Sequence, residues 1–376
     1  MLPVVGVTPY GVGVVDRRQV MRFRVQAQQL ARAHGTLVDT AVLDIGVQDT
    51  GPDGGGWALA LRGVDRAASS GADLVLLWTV RGAPHLYRRA DAGRVASAVA
   101  PWSDADAGKR IYDAAKPLRA AGIGNLEALD TVAAELRATV TEPMVKGDVS
   151  GRLNAVLPEP YLRFCRPCDA THIFEMPLRL AAVRAGLELQ RDTSPPVLRR
   201  IPGFRAAADA GDRFDLVRAY LRLMGPATPG HVATYLDAPV REVKARWPED
   251  VIEVTVDGEK RSLLAADEQS LASAAAAATR LLGPFDLFLQ ARDRATLVPD
   301  AARAKELWPV LGRPGAVLVD GELVGTWRPR KSGARMTVAV QPWQKLPESR
   351  RRAVIEQAER LAAHRAATLA GVEFPD

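Results

Sequence analysis

The strongest constraint on the fold is a run of three short helices and a hairpin in the second half of the chain. Amphipathic spacing predicts helices over residues 214–223, 228–236 and 239–246. The middle helix begins with Thr-Pro, a favourable N-cap followed by a favourable first helical residue. Two strands within 251–264 then flank Asp257-Gly258, a strong hairpin-turn signal. Three helices followed by a hairpin are typical of a winged helix-turn-helix unit.

The rest of the chain repeats this organisation less clearly. Residues 117–176 echo the pattern, and the first hundred residues are a further, divergent candidate that periodicity alone does not establish. An Ala-rich helix is predicted over 270–282, followed by a second Asp-Gly hairpin, the strand MTVAVQPW and an amphipathic helix over 347–366. We therefore predict an α+β fold of tandem winged helix-turn-helix units, three in number, with a C-terminal β-hairpin region and a closing helix. The predicted boundaries are 1–100, 101–195, 196–282 and 283–376.

Bulk composition narrows the class of protein. The 376 residues include 50 basic and 44 acidic side chains, and the net charge of +6 is only a mild indication of a polyanionic partner. Two cysteines provide no disulfide framework. The N-terminal residues do not form a signal-peptide pattern, and no apolar run reaches the roughly 18 residues of a membrane span. These features predict a cytoplasmic protein without a membrane partner.

Local basic clusters are better candidates for polyanion contact than the net charge. They lie on the third helix of the 214–265 unit, on its wing and on the C-terminal hairpin: Arg241, Lys244 and Arg246; Lys260 and Arg261; and Arg328, Arg330 and Lys331. Such side chains bind phosphates in a salt-sensitive way. Because acidic residues are interleaved with the first two groups, a solvated helix face is the alternative. Few acidic residues lie near the C-terminal loop WRPRKSGAR, which is therefore the best candidate for a polyanion contact in the sequence.

The segment CRPCDATH has the spacing of metal ligands. Cys165, Cys168 and His172 offer three donors, whereas zinc prefers four, and no second Cys/His pair completes the set. We therefore expect two buried thiols beside a turn and no metal site.

Several long motifs resemble those of the AlkZ-like (YcaQ-like) bacterial DNA glycosylases. They are RFRVQAQQL, GVQD, LLWTVRGAPHL, VKGDVSGRL, RFCRPCDATHIFE, YLRLMGPATPGHVATYL, GPFDLFLQARDR and VLVDGELVGTW, and they span nearly the whole chain. The resemblance implies three tandem winged-helix units around a basic concave surface. It also implies excision of alkylated or crosslinked bases from DNA without a metal or organic cofactor.

The family's catalytic signature is a Gln-any-Gln or Gln-any-Asp tripeptide after the second helix. Gln26-Ala27-Gln28 copies it literally, but these residues lie inside the first predicted helix. The context GVQDTGP before Trp57 instead aligns the signature with Gly46-Val47-Gln48. The second polar position is kept as Gln48, and the first is Gly46, which has no side chain.

Gln48 and Asp49 are therefore the candidate catalytic residues. Hydrolysis of an N-glycosidic bond needs a polar group that holds water and stabilises an oxocarbenium-like sugar. The alternative for Asp49 and Asp53 is a turn and helix-capping role before Trp57. By the same resemblance, Arg81 and His85 lie near the DNA-facing cleft, where His85 is either a phosphate or base contact or a hydrogen-bonded structural residue.

We expect a monofunctional DNA glycosylase that acts on alkylated or crosslinked purines with a positioned water molecule. The expected partner is double-stranded DNA, damaged or not, and the expected location is the cytoplasm in association with the nucleoid. The first alternative is a non-catalytic winged-helix DNA-binding or regulatory protein that has lost the glycosylase motif. A protein-interaction scaffold is the second alternative.

Overall fold

The computed structural model describes residues 13–52, 54–273 and 278–375. Within them the chain is a mixture of helices and sheets, as the α+β prediction requires. The helices are α1 Arg17–Ala27, α2 Gly55–Ala60, α3 Arg66–Ser70, α4 Ala92–Val99, α5 Asp104–Arg110, α6 Ala115–Ala120, α7 Asn125–Thr139, α8 Lys146–Val156, α9 Glu175–Arg184, α10 Gly211–Phe214, α11 Leu216–Met224, α12 Pro229–Leu236, α13 Val240–Lys244, α14 Glu268–Ser273, α15 Arg294–Leu297, α16 Ala301–Leu307 and α17 Glu348–His364.

The strands are β1 Gly13–Val15, β2 Val47–Gln48, β3 Leu74–Trp78, β4 Pro84–Arg88, β5 Met144–Val145, β6 Leu162–Cys165, β7 Ala170–Ile173, β8 Leu187–Leu189, β9 Val197–Arg200, β10 Val251–Val256, β11 Glu259–Leu264, β12 Thr279–Leu282, β13 Gly315–Val319, β14 Glu322–Ser332, β15 Arg335–Pro342 and β16 Thr368–Glu373. They form four sheets, with strand orders β2-β4-β3-β8-β9-β5, β12-β13-β14-β15-β16, β1-β10-β11 and β6-β7. The first sheet joins strands from residues 47–88 to strands from residues 144–200.

The predicted three-helix and hairpin pattern is confirmed in α11–α13 and β10–β11. Thr228 caps α12, because its hydroxyl accepts a hydrogen bond from the His231 backbone N–H. The hairpin closes at Asp257-Gly258 with Val256 opposite Glu259. A similar order of helices (α5, α7 and α8) precedes the β6–β7 hairpin. Whether these segments are separate winged-helix units, with the boundaries given above, stays a prediction.

Amphipathic spacing also predicts helices over residues 17–34 and 57–68, and both are interrupted in the structure. The helix that was expected to continue to His34 ends at Ala27, and Gln29 adopts a left-handed conformation (φ 59°). The helix expected over 57–68 divides into α2 and α3 at Gly63, where φ is +77° and an added Cβ would lie 2.7 Å from the Ala33 carbonyl oxygen. Close backbone packing at Gly63 therefore overrides the helical periodicity.

The Ala-rich helix predicted over 270–282 is wrong in its last turn. Helix α14 ends at Ser273, and Thr279–Leu282 is instead the buried strand β12, which pairs antiparallel with β13. The residues of β12 are buried, and the long-range pairing overrides local helix propensity. Both C-terminal strands β13 and β14, their Asp320-Gly321 turn, and the closing helix α17 are as predicted.

Buried arginine–aspartate pairs attach the segment 283–297 to the N-terminal helices. Arg24 of α1 binds Asp293 at 2.7 Å, and Arg62, just after α2, binds Asp286 at 2.8 Å. Both contacts are bidentate, and all four side chains are shielded from solvent. Since an unpaired buried charge is strongly unfavourable, these pairs hold the segment in one position.

Among the described residues, no helix is both long enough and apolar enough to cross a membrane.

Candidate functional site

Gln48 lies on the short strand β2 and meets a second glutamine from a distant part of the chain. In the sheet its Cα is paired with that of His85. The half-buried Gln48 side chain donates through Nε2 to the Thr50 hydroxyl at 3.1 Å, and its Oε1 lies 3.5 Å from Nε2 of Gln290. Two amide side chains therefore stand side by side, although only one of them comes from the tripeptide region.

Gln290 is positioned by the carboxylates on either side of it. It ends a 3-10 turn, Leu287–Gln290, which Asp286 caps by accepting the Phe288 N–H at 3.0 Å. Asp286 and Asp293 are the partners of the buried arginines described above, so both ends of the turn are fixed. Gln290 Oε1 also accepts a hydrogen bond from Arg81 Nη2 at 3.1 Å. Gln290 thus links Gln48 to a basic residue.

Four arginines without a carboxylate partner form a group that meets the amide pair through Arg81, and we call them the arginine cluster: Arg81, Arg292, Arg294 and Arg313. In the parts of the chain that the structure describes, none of them forms an ion pair. Their guanidinium groups instead lie over aromatic rings. Arg81 and Arg292 lie 4.8 Å and 6.0 Å from the ring centroid of Tyr235. Arg294 lies 4.9 Å from the Trp308 centroid, and Arg313 lies 5.5 Å from the Phe285 centroid. Aromatic faces stabilise such cations without neutralising them.

Burial and neighbouring positive charges lower the pKa values of three members of the arginine cluster. Burial, followed by the charge of Arg81, lowers the pKa of Arg292 to about 10. Burial and the Arg81 charge also lower the pKa of Arg313, and burial and the Arg313 charge lower that of Arg294. The Nε of Arg292 is buried and has no hydrogen-bond partner. A polyanion bound here would offset the repulsion among these arginines and would offer the Arg292 Nε a hydrogen-bond acceptor.

Two residues at this site have unusual, left-handed backbone conformations. Arg81 has φ 56° and ψ 25°, and Tyr112 has φ 51°. Left-handed backbone is uncommon for residues with a side chain, and it concentrates at functional sites. Tyr112 is 52% exposed, and its hydroxyl donates a hydrogen bond to Asp237. Partial burial and that carboxylate raise the pKa of Tyr112 to about 12, with Arg81 and Arg292 acting in the opposite direction. Tyr112, Arg81 and Arg292, which come from distant parts of the sequence, therefore lie near one another at this site.

The residue before Val47 has no room for a side chain. Gly46 has φ +96°, and a Cβ added there would lie 2.4 Å from the Tyr87 hydroxyl oxygen. That hydroxyl is buried, donates to the Ile45 carbonyl at 3.2 Å and lies 2.9 Å from the Thr79 hydroxyl. Tyr87 therefore fills the space that a glutamine at position 46 would need.

Comparison with known proteins decides the family. A model of the family described as "DNA glycosylase AlkZ-like" matches residues 45–364, which include Gln48, Gln290 and the whole arginine cluster. The chain belongs to the AlkZ-like DNA glycosylase family. Among solved structures it is similar to the Streptomyces sahachiroi DNA glycosylase AlkZ, with a TM-score of 0.72 and 21% identity over 96% of this chain and 100% of that one, which shows a shared fold. No curated protein matches the chain.

Within this AlkZ-like chain, Asp49 performs a local structural task. Its Oδ1 accepts the Gly55 backbone N–H at 2.7 Å at the start of α2, and its own N–H donates to the Pro84 carbonyl at 2.8 Å. Burial raises the pKa of Asp49, although the hydrogen bond from Gly55 opposes the shift. These contacts are those of the capping alternative. Asp53, the other residue in that alternative, lies outside the described residues.

Two expected DNA contacts of the AlkZ-like chain have buried side chains. His85 is 2% exposed, its Nδ1 lies 2.9 Å from both the Thr79 hydroxyl and the Ala83 carbonyl, and burial lowers its pKa to about 3. These contacts are those of the hydrogen-bonded structural alternative. Arg261 is 7% exposed and ion-pairs with Asp293 and Glu259 at 2.6 Å and 2.7 Å, so its charge is already matched within the protein. A DNA contact by either residue stays a prediction.

The remaining basic residues of the 214–265 unit occupy a surface of mixed charge. Arg241 and Lys244 are exposed on α13, and Lys260 is exposed on β11 with Glu253 at 2.8 Å. Arg246 is half-buried, pairs with Glu242 at 3.1 Å and lies over the Trp102 ring at 4.8 Å. Among the described residues, none of them hydrogen-bonds or ion-pairs with Gln48 or Arg81.

The C-terminal hairpin carries its predicted cations on an exposed ribbon. Arg328, Arg330 and Lys331 lie on the second half of β14 and are exposed. Arg328 donates to the Gly312 carbonyl at 2.7 Å, and Arg330 pairs with Glu373 at 3.1 Å between two exposed side chains. An exposed pair of this kind is weak, and it leaves the ribbon available to a polyanion.

Sequence alone did not identify Gln290, Arg292, Arg294 and Arg313. The first three lie in GPFDLFLQARDR, a motif that carried the family resemblance without a site role. Acidic and basic residues lie close together in this motif, so its charges could in principle neutralise one another. The structure instead directs both acids, Asp286 and Asp293, to buried arginines elsewhere.

Proposed function

We propose that this protein hydrolyses the N-glycosidic bond of alkylated or crosslinked purines in double-stranded DNA, with a water molecule held by Gln48 and Gln290. The observation that carries the proposal is the amide pair bordered by the unpaired arginine cluster. It joins groups that can hold water to groups that can bind the phosphates beside a lesion. Membership of a DNA glycosylase family supports the same reaction.

The proposed chemistry suits amide side chains because an alkylated purine is already a good leaving group. The C1′–N bond breaks and its electron pair leaves with the base, while the water oxygen forms a bond to C1′. An amide oxygen accepts a hydrogen bond from that water and aims it, and the proton passes to solvent. The paired amide dipoles also stabilise positive charge that develops on the sugar. No cofactor takes part in this step.

For binding, we propose that the arginine cluster contacts phosphates next to the lesion and the C-terminal hairpin contacts the flanking duplex. The mixed face of α13 and β11 would act as one of three tandem winged-helix units, as the family resemblance implies. Phosphate contacts position a duplex without reading its sequence, which fits an enzyme that acts on lesions in any context. The same contacts favour an association with the nucleoid.

The deciding experiment incubates the full chain with duplex carrying a single N-alkylated purine and measures abasic sites by alkaline strand cleavage. Gln48→Ala and Gln290→Ala are each expected to lower the rate of base release by about 100-fold, the effect of losing one positioned polar group. Gln344→Ala, which changes an exposed glutamine outside the cluster, is the matched control. Full activity in either site variant would overturn that residue's assignment.

The alternative, a DNA-binding protein that has lost catalysis, is favoured by one observation. Position 46 lacks the first glutamine of the signature and Tyr87 fills its space. This alternative predicts salt-sensitive duplex binding with no abasic product from N-alkylated or crosslinked lesions. Wild-type protein that binds duplex but releases no base from either lesion class would establish it.

A further inference from the structure

The β6–β7 hairpin brings three soft donor groups together away from the site described above. Cys165 ends β6, Cys168 lies in the turn, and His172 lies on β7. Their ligand atoms all lie within 4.8 Å of one another, the one such group found among the described residues. Contrary to the sequence expectation, the thiols are not buried, since Cys168 is exposed and Cys165 is half-buried. An incoming ion can therefore reach them.

The turn between the cysteines has the geometry of a chelating loop. Arg166–Cys168 form a single 3-10 turn, Asp169 adopts a left-handed conformation (φ 47°), and Cys165 pairs with Ala170 across the hairpin. The turn holds the ligand atoms of both cysteines within 4.8 Å of each other, and cysteine binds a metal as the thiolate.

The imidazole is already held in a suitable tautomer. His172 Nδ1 lies 3.0 Å from the Ile173 carbonyl oxygen, which can only accept, so Nδ1 carries the hydrogen and Nε2 keeps its lone pair. A backbone carbonyl that fixes the non-ligating nitrogen is a recurrent feature of histidine–metal sites.

The strands that carry these donors are anchored independently of the turn. The Asn154 amide of α8 donates to the Thr171 carbonyl at 2.7 Å and accepts the Ile173 N–H at 2.8 Å. Arg163 on β6 reaches Asp113 at 3.1 Å, next to Tyr112 at the arginine cluster. Asn154 of α8 therefore anchors the base of the hairpin, and the turn that carries Cys168 forms its tip.

We propose that Cys165, Cys168 and His172 bind a zinc ion, with a fourth position open to water or an external ligand. Two thiolates and one neutral imidazole are a donor set that zinc prefers, and the two thiolate charges balance the ion. Each thiol releases its proton to solvent as its Zn–S bond forms. The ion would fasten the tip of the hairpin and so stiffen the strand that contacts Asp113.

The test measures zinc in full-length protein that has been purified without chelators after growth in zinc-supplemented medium. Elemental analysis is expected to find about one zinc per chain, and about tenfold less in Cys165→Ser, Cys168→Ser and His172→Gln. Arg166→Ala, which alters an exposed side chain in the same turn, is the matched control and should retain zinc.

Cobalt substitution provides a second measurement that is independent of activity. Co²⁺ added to the apo protein should produce visible d–d bands and a thiolate charge-transfer band, both absent from Cys168→Ser. The proposal is overturned if the wild-type chain carries no zinc and both thiols react freely with a thiol reagent. It is equally overturned if the intact mass is lower by two hydrogens, because the cysteines would then form a disulfide.

Discussion

At the scale of single residues, the absence of a side chain at position 46 is a packing requirement. The positive φ of Gly46 and the Tyr87 hydroxyl both exclude a side chain there. We expect Gly46→Ala to lower the free energy of unfolding by about 2 kcal/mol or more, since both conformational strain and a steric clash are introduced. Gly51→Ala is the control for strain alone, because Gly51 has φ +74° and nothing within 4 Å of an added Cβ. Denaturant titrations that give equal losses for the two variants would contradict the steric role of Tyr87.

The substitution Asp49→Asn distinguishes a helix-capping role of this residue from a catalytic one. The Oδ1 of asparagine can still accept the Gly55 N–H, so Asp49→Asn should keep α2 in place and retain base-release activity within about threefold. If a carboxylate is needed for chemistry, activity will fall far more than that.

The pH dependence of this variant follows from the direction of the pKa shift. Burial raises the folded-state pKa of Asp49 above its ordinary value of 3.8, so the folded state binds this proton more tightly than the unfolded state. The stabilising contribution of Asp49 is therefore complete below pH 3.8 and is lost as pH rises through the folded-state pKa. Unfolding titrations should show that wild type loses stability relative to Asp49→Asn on going from acid to neutral pH; a difference independent of pH would be inconsistent with the shift.

At the scale of structural elements, the turn that carries Gln290 depends on buried ion pairs. Asp293→Asn leaves the buried Arg24 without its counter-charge and leaves Arg261 with Glu259 alone, and we expect a loss of about 3–5 kcal/mol in unfolding free energy together with loss of base release. Asp250→Asn removes the bidentate partner of Arg218 on the surface and should cost no more than about 1 kcal/mol. Comparable losses in the two variants would show that the buried pairs do not hold the turn.

The elements also show which features a sequence can predict. The Asp257-Gly258 and Asp320-Gly321 hairpins were predicted correctly because turn chemistry is local. Strand β12 was not, because its pairing with β13 depends on a partner more than thirty residues away. Gln48 was identified as a candidate by its context, whereas its meeting with Gln290 requires the whole fold to bring together residues separated by 242 positions. The burial of His85 and Arg261 was not foreseen, because sequence alone does not show which polar side chains the fold encloses.

At the scale of the whole molecule, the net charge is small, yet the four arginines of the cluster have no carboxylate partner among the described residues. We expect the affinity of undamaged duplex to fall with salt, and the slope of log K against log salt to decrease in magnitude by about one for each of Arg292→Ala and Arg313→Ala. Arg218→Ala, which removes a charge already matched by Asp250, should leave the slope unchanged. An unaltered slope in the Arg292 and Arg313 variants would place the duplex on another surface.

The packing of Tyr87 against Gly46 also has an evolutionary consequence. A chain with this arrangement cannot acquire a glutamine at position 46 by one substitution, because the new side chain would meet a buried, hydrogen-bonded ring. Position 87 would first have to become smaller, and that step by itself opens a cavity in the core. The two positions therefore constrain each other: while Tyr87 is in place, a second amide beside Gln48 has to come from elsewhere in the chain, as Gln290 does.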